Sequence, residues 1–208
     1  GTLIADTCAI FEADNAVLKF LGEKPVDFSA FLKHFNVPVK NYYIALGVKP
    51  EIIDQQSQKM SDIFHGYYEP RAQKARTRSN AKTLLNWLKK EKIPAIIISN
   101  HVEEKIDDQL NRLMIKSYFK KVLGNNSKYS PMYGRNKKER LVKHLKKQGF
   151  NPKETLVVGD AIEEIEIAKE IGCMSVAITH GNVSTKRLKD AKPDYLITDL
   201  GNLINIIR

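Results

Sequence analysis

A chain of 208 residues is long enough to bury a sizeable core as one domain, or as one domain with a smaller insertion. Its composition, 42% hydrophobic and 28% charged, is ordinary for a soluble globular protein, and no apolar run reaches the length that a transmembrane helix needs. Cys8 and Cys173 are the only cysteines, which excludes a disulfide framework and a cysteine-based zinc site; together with the lack of a signal peptide, this predicts a cytoplasmic protein.

The formal net charge is +10, and the excess lies outside residues 12–74, where acidic and basic residues balance. The densest basic segment is residues 135–147, with Glu139 as its single acid. Nucleic-acid binding is one interpretation of such a segment. The segment has no zinc ligands, aromatic ladder or helix-turn-helix signal, so we expect a solvated surface and no nucleic-acid partner. Attraction of a small phosphorylated substrate is compatible with either interpretation.

The first predicted element is a very short strand over residues 3–5, which ends at the carboxylate of Asp6. Residues 13–75 then show the pattern of several helices with glycine and proline breaks, and no convincing strand. We therefore predict a helical subdomain at 13–75, inserted into a core formed by residues 1–12 and 76–208. The alternative is a single fold in which these helices are the first layers.

An amphipathic helix is predicted over residues 80–92, and the β-branched run at 94–98 predicts the clearest strand of the sequence. Ser99 and Asn100 follow this strand. Ser99 can cap the next helix, and it can also donate to phosphate, because the amino termini of helices attract anions.

Residues 121–123 predict another short strand, and a helix is predicted from about residue 136 to the break at Gly149. The helix begins with Lys137 and Lys138. Two ammonium groups at the positive end of a helix dipole cost about 0.3–1 kcal/mol each. Helix stability alone would favour acids there, so we expect one of the two lysines to bind an anion.

Residues 155–178 predict a strand, a helix and a second strand, which together form a βαβ unit. Asp160 follows the first strand, where open α/β sheets bind their ligands, and Glu164 lies in the first turn of the helix. Two neighbouring carboxylates repel each other unless a cation lies beside them, and oxygen ligands favour a hard metal ion. The alternative is that Asp160 is a helix cap and Glu164 an acid placed to match the helix dipole.

After a final strand at 194–197 and a helix at 200–207, the pattern predicts an α/β fold with a parallel sheet. The carboxyl ends of parallel strands lie at one edge of a sheet. The polar residues expected there are Asp6, Ser99, Lys137 or Lys138, and Asp160 with Glu164. A carboxylate nucleophile, a hydroxyl, a cation and a metal site are the groups that phosphoryl transfer needs.

This order of motifs resembles the haloacid dehalogenase-like hydrolase superfamily over nearly the whole chain. The first family motif, Asp-x-Asp-x-Thr or Val, matches Asp6-Thr7-Cys8-Ala9-Ile10, and the second, a strand ending in Ser or Thr, matches residues 96–100. The family lysine falls best on Lys137, with Lys138 as the fallback, and the Gly-Asp motif with its following acid matches Gly159, Asp160 and Glu164. The resemblance implies an α/β fold with a three-layer doubly wound parallel sheet, the Rossmann-like core of this family, and a helical cap at 13–75 that selects the substrate.

The resemblance also implies a role for each matching residue. Asp6 would be the nucleophile that forms an aspartyl-phosphate. The phosphoryl group would be bound by Ser99 and Lys137, with Asn100 and Lys138 beside them. Mg²⁺ would be bound by Asp6, the backbone carbonyl of Cys8 and Asp160, with Glu164 supporting it directly or through water.

Cys8 departs from the family pattern, because it replaces the acid that serves as general acid and base. A thiol has an ordinary pKa of about 8.5 and can relay a proton near neutral pH. General acid–base help is worth about 10²–10⁴-fold, so its loss predicts reduced activity rather than none. Phosphonatases also lack this acid but need a cap lysine, and the candidates are Lys19, Lys24, Lys33, Lys40, Lys49 and Lys59. The retained Asp160 argues against the metal-free dehalogenases.

We therefore predict a magnesium-dependent, phosphatase-like hydrolase that acts on a small phosphorylated metabolite. One alternative is a catalytically weakened relative that binds a phosphorylated ligand or a protein partner. Another is a phosphonatase-type hydrolase of carbon–phosphorus bonds. The histidines show no spacing typical of metal ligands, so structural or solvent-exposed positions are expected for them.

Overall fold

The structure is a computed structural model that describes residues 1–134 and 136–207. Arg135, the first residue of the basic segment, and Arg208 lie outside the described residues. The helices are α1 (Thr7–Phe20), α2 (Phe28–His34), α3 (Val39–Ala45), α4 (Pro50–Ala72), α5 (Ala81–Lys90), α6 (Glu103–Arg112), α7 (Lys137–Gln148), α8 (Ile162–Ile171), α9 (Thr185–Asp190) and α10 (Leu203–Ile207). The strands are β1 (Ala95–Val102), β2 (Phe119–Asn125), β3 (Leu156–Gly159), β4 (Met174–Ile178) and β5 (Tyr195–Ile197). Of the helices in these ranges, none is both long and apolar enough to cross a membrane.

The strands pair in parallel throughout, β1 with β2, and β4 between β3 and β5. Parallel neighbours need crossover connections, and α6, α8 and α9 provide them. Alternate residues of β4 face opposite layers: Val176 and Ile178 pack with α5 and α10, whereas Ala177 packs with α8 and α9. This three-stranded sheet is therefore covered on both faces, which confirms the predicted three-layer α/β fold, although β1 and β2 form a separate two-stranded sheet.

The predicted strand at residues 3–5 was wrong. Ile4 makes only an isolated antiparallel bridge to Thr77. The backbone hydrogen bonds of this segment go to an irregular stretch of the chain, from the N–H of Ala5 to the carbonyl of Arg76 and from the N–H of Arg78 to the carbonyl of Leu3, each at 2.9 Å. This segment therefore lies beside the start of the core without joining either set of parallel strands.

Helices α1 to α4 enclose a hydrophobic core that is rich in aromatic side chains. Its buried members are Val17, Leu18, Phe31, Tyr42, Tyr43, Val48, Ile53, Met60 and, from the segment between β2 and α7, Met132. The predicted start of the cap at residue 13 falls inside α1, a continuous helix from Thr7 to Phe20. The packing of α1 on α4 thus fixes the base of the helical cap.

A buried carboxylate in this helical core makes the stability of the protein depend on pH. Burial raises the pKa of Asp14 to about 7, although the hydroxyl of Tyr43 donates a hydrogen bond to it at 2.9 Å. An aspartate in the unfolded chain titrates near 3.8. Between these two pH values the folded protein holds a proton that the unfolded chain has lost. This proton stabilises the folded state, and the stabilisation is lost as the pH rises through the folded-state pKa.

We expect the free energy of unfolding to fall by about 4 kcal/mol between about pH 4 and pH 8, since each pKa unit is worth about 1.4 kcal/mol. Asp14→Asn removes this dependence, because the amide does not titrate. Urea unfolding at several pH values measures the slope, and Asp108→Asn, at an exposed position on α6, is the matched control. An unchanged slope in Asp14→Asn would contradict this assignment.

Candidate active site

Asp160 directly follows β3 at the carboxyl end of the sheet and is buried. The backbone N–H of Asn182 donates to its Oδ2 at 2.9 Å, and the hydroxyl of Thr2 donates to its Oδ1 at 2.6 Å. Burial alone would raise the pKa of Asp160. Nearby positive charge, including that of Lys137, and the two hydrogen bonds outweigh burial and hold the pKa below its ordinary value. Asp160 is therefore a carboxylate at neutral pH.

Asp6 lies at the same place, although it precedes α1 instead of ending a strand. The hydroxyl of Tyr68, from α4, donates to its Oδ2 at 2.7 Å, and the amino group of Gly1 contacts its Oδ1. A side chain on residue 1 would collide with the carboxylate of Asp160. The carboxylates of Asp6 and Asp160 therefore both approach residue 1.

Lys137, the first residue of α7, forms a buried charged cluster with Glu163 and Glu164 from the first turn of α8. Its Nζ lies 2.9 Å from Oε2 of Glu163 and donates to Oε1 of Glu164. The three side chains are only 7%, 2% and 12% exposed. Burial lowers the pKa of Lys137, but the two glutamates raise it above its ordinary range, so this lysine is charged. Burial also raises the pKa of Glu164.

Ser99 and Asn100 lie in β1 just after Ile98, where its regular pairing with β2 is interrupted. Oγ of Ser99 accepts a hydrogen bond from the backbone N–H two residues later, at 3.1 Å. Nδ2 of Asn100 donates to Oε2 of Glu163 at 2.7 Å, the same oxygen that pairs with Lys137. Three elements, β1, α7 and α8, therefore meet at one carboxylate.

Two of the predicted site residues have exposed side chains. Lys138 is exposed, and its Nζ pairs with Glu170 at 2.9 Å on the outer surface. The thiol of Cys8 is exposed in the first turn of α1. The geometry therefore favours Lys137 over Lys138 as the lysine of the site.

Several contacts of the site were missed by the sequence analysis. Glu163 offered a signal, because it is the second acid in the first turn of a helix whose other acid had been identified. Tyr68, Thr2 and Asn182 offered none, since each reaches its partner from a distant part of the chain.

Both carboxylate oxygens of Glu164 accept hydrogen bonds. One accepts from Lys137 and the other from the backbone N–H of Ala161 at 3.2 Å.

Comparison with known proteins identifies the family of this chain. Residues 1–178 match the family model described as haloacid dehalogenase-like hydrolase, which covers more than half of the chain. The chain belongs to the haloacid dehalogenase-like hydrolase family. The predictions of the family and of a hydrolytic enzyme are confirmed by this match.

Relatives within the haloacid dehalogenase-like family extend the match in sequence and in fold. The phosphoglycolate phosphatase of Vibrio cholerae is 26% identical over 168 residues, 78% of this chain and 71% of that protein. The phosphoglycolate phosphatase of Pseudomonas putida KT2440 is 23% identical over 214 residues, 98% of this chain and 75% of that protein. A haloacid dehalogenase-like hydrolase structure from Streptococcus pneumoniae superposes with a TM-score of 0.81 at 20% identity, over 100% of this chain and 94% of that one.

Proposed function

We propose that this hydrolase is a magnesium-dependent phosphatase for a small phosphorylated metabolite. The observation that carries the proposal is that Asp6 and the ionised Asp160 both approach residue 1, while charged Lys137 is near enough to lower the pKa of Asp160. Relatives of this chain are named phosphoglycolate phosphatases, so a small phosphorylated acid is the class of substrate to test first.

The oxygen atoms around Asp160 fit a hard divalent cation. The backbone N–H of Asn182 donates to Asp160, and the Oδ1 of the same residue is buried without a hydrogen-bond partner among the described residues. Mg²⁺ prefers carboxylate and carbonyl oxygens, so Asp160, Asp6 and the backbone carbonyl of Cys8 are its proposed ligands. Such an ion supplies positive charge to a phosphoryl group. Glu164 supports the site indirectly, because its carboxylate faces Lys137.

Lys137 and Ser99 are proposed to hold the phosphoryl oxygens. An ammonium group has three donors, and Glu163 and Glu164 account for two of those on Lys137, which leaves one for an anionic substrate. The hydroxyl of Ser99 accepts one hydrogen bond and keeps its own proton to donate. Asn100 fixes β1 to this cluster through Glu163.

In the proposed reaction, a carboxylate oxygen of Asp6 attacks phosphorus while the bond from phosphorus to the ester oxygen of the substrate breaks. The leaving oxygen takes a proton from the thiol of Cys8. Water then attacks the aspartyl-phosphate, returns a proton to Cys8 and releases phosphate as the bond between Asp6 and phosphorus breaks. The support for Asp6 is its position beside Asp160 and its hydrogen bond from Tyr68, since the strand that suggested this role is absent.

Asp6→Asn is expected to lower the turnover of p-nitrophenyl phosphate in Mg²⁺ by about 10³-fold or more, since it removes the nucleophile. Tyr68→Phe is expected to lower kcat/KM by about 10–100-fold, because a hydrogen bond to a charged group is worth about 1.5–3 kcal/mol. Tyr67→Phe, the exposed neighbour on α4, is the matched control and keeps full activity. Undiminished turnover in Asp6→Asn would remove Asp6 from the chemistry.

A further inference from the structure

Three side chains at the junction of the cap and the core belong to no part of the phosphatase site. His65 and Glu69 lie one turn apart on α4, and His101 lies in β1. Nδ1 of His65 is 3.0 Å from Oε1 of Glu69, and Nε2 of His101 is 3.2 Å from the same oxygen. One potential ligand atom from each residue lies within 4.8 Å of the others.

The two imidazole rings are arranged as neighbouring ligands rather than as independent surface groups. They stack in parallel, with ring centroids 5.4 Å apart and an interplanar angle of 9°. Nε2 of His101 is buried and, within residues 1–134 and 136–207, makes no hydrogen bond of acceptable geometry, despite its approach to Glu69. A neutral imidazole offers one nitrogen lone pair, which a metal ion can use.

We propose that His65, Glu69 and His101 bind a divalent transition-metal ion of the zinc class. Two imidazoles and one carboxylate suit zinc and its neighbours, whereas the oxygen-rich surroundings of Asp160 suit magnesium. The three side chains are 14%, 21% and 17% exposed, so an ion can enter and a water molecule can complete the coordination.

Such an ion would join α4 to β1 next to the active site. Tyr68, which donates to Asp6, lies between the two α4 ligands in sequence, and its ring packs edge-on against His101 with centroids 5.3 Å apart. A bound ion therefore holds the cap helix in the position that places the Tyr68 hydroxyl. The site itself does not depend on the proposed phosphatase activity.

The test is calorimetric titration of the full chain with Zn²⁺ in excess Mg²⁺, together with visible absorption after addition of Co²⁺. We expect one equivalent of Zn²⁺ to bind and the cobalt spectrum to be that of a low-coordinate histidine site. Loss of any one ligand should lower the Zn²⁺ affinity at least about 10–100-fold, because removal of a residue that only hydrogen-bonds to a metal ligand already costs this much. The variants that test this are His65→Ala, His101→Ala and Glu69→Gln. His34→Ala is the matched control, and Asp160→Asn separates this site from the magnesium site.

Two outcomes overturn the proposal: wild-type protein that takes up no Zn²⁺ and no Co²⁺, or Zn²⁺ binding that Asp160→Asn abolishes and the α4 and β1 variants leave unchanged. The wild-type cobalt spectrum decides the matter even if a variant fails to fold. Phosphatase activity plays no part in either readout, so failure of this proposal and failure of the proposed function are distinguishable.

Discussion

Asp160→Asn is expected to lower kcat/KM for p-nitrophenyl phosphate by about 10³-fold, because a metal ion contributes several kcal/mol of transition-state stabilisation. The amide keeps the shape of the side chain and an oxygen that can accept from Thr2 or Asn182, so the fold should survive. What it removes is a full negative charge at a group whose pKa lies below its ordinary value. The same variant is expected to bind Mg²⁺ too weakly for calorimetry to detect.

Asp190→Asn, at an exposed position at the end of α9, is the control for the Asp160 variant. It should change neither kcat/KM nor the affinity for Mg²⁺. Mg²⁺ affinity that is the same in wild type and Asp160→Asn would move the proposed magnesium site elsewhere. A loss of activity with intact Mg²⁺ binding would instead assign Asp160 to substrate positioning.

Lys137→Met is expected to destabilise the protein by about 3–5 kcal/mol, the cost of leaving a buried charge without its partner. The methionine fills the space of the alkyl chain, but the carboxylates of Glu163 and Glu164 then face each other in a buried position. Lys138→Met, one residue along the same helix, breaks only an exposed pair with Glu170, which solvent screens, so it should destabilise the protein far less. Urea unfolding of the two variants measures this difference directly.

The loss in Lys137→Met should shrink as the pH falls, because burial already raises the pKa of Glu164 and protonation removes its charge. Adding Glu164→Gln to Lys137→Met should recover part of the stability for the same reason. Equal destabilisation by Lys137→Met and Lys138→Met would show that the buried contacts of Lys137 with the two glutamates do not stabilise the protein.

The sequence predicted the central βαβ unit well because its signals are local. The apolar run of β4 stands between Cys173 and Thr179, and Gly172, in a left-handed conformation, ends α8 as expected. Asp160 could be placed for the same reason, since the end of a buried strand is visible in the sequence. These elements depend on near neighbours along the chain.

Features that depend on contacts between distant segments could not be predicted in this way. Residues 3–5 have the apolar character of a strand but pair with residues 76–78, and nothing local distinguishes the two outcomes. Tyr68 reaches Asp6 only because α4 packs on α1. The spacing of His65 and Glu69 was visible on a helix, but His101 joins them only through the fold.

In the basic segment, the number of Lys and Arg residues overestimates the positive charge that is free on the surface. Lys137 is buried among acids, Lys138 is paired with Glu170, and the guanidinium of Arg140 donates to the carbonyl of Leu123 at 2.7 Å. Part of the positive charge in this segment is thus used within the protein. A low affinity for nucleic acid remains a prediction.

The most direct test of the proposed function is hydrolysis of p-nitrophenyl phosphate by the wild-type protein with Mg²⁺, after chelation, and after Mg²⁺ is restored. The proposal predicts slow turnover that chelation abolishes and Mg²⁺ restores, and that Cys8→Asp accelerates by about 10²–10⁴-fold through restored acid–base help. Wild-type protein without turnover, beside an active Cys8→Asp variant, would contradict it and identify a chain that binds phosphorylated ligands without hydrolysing them.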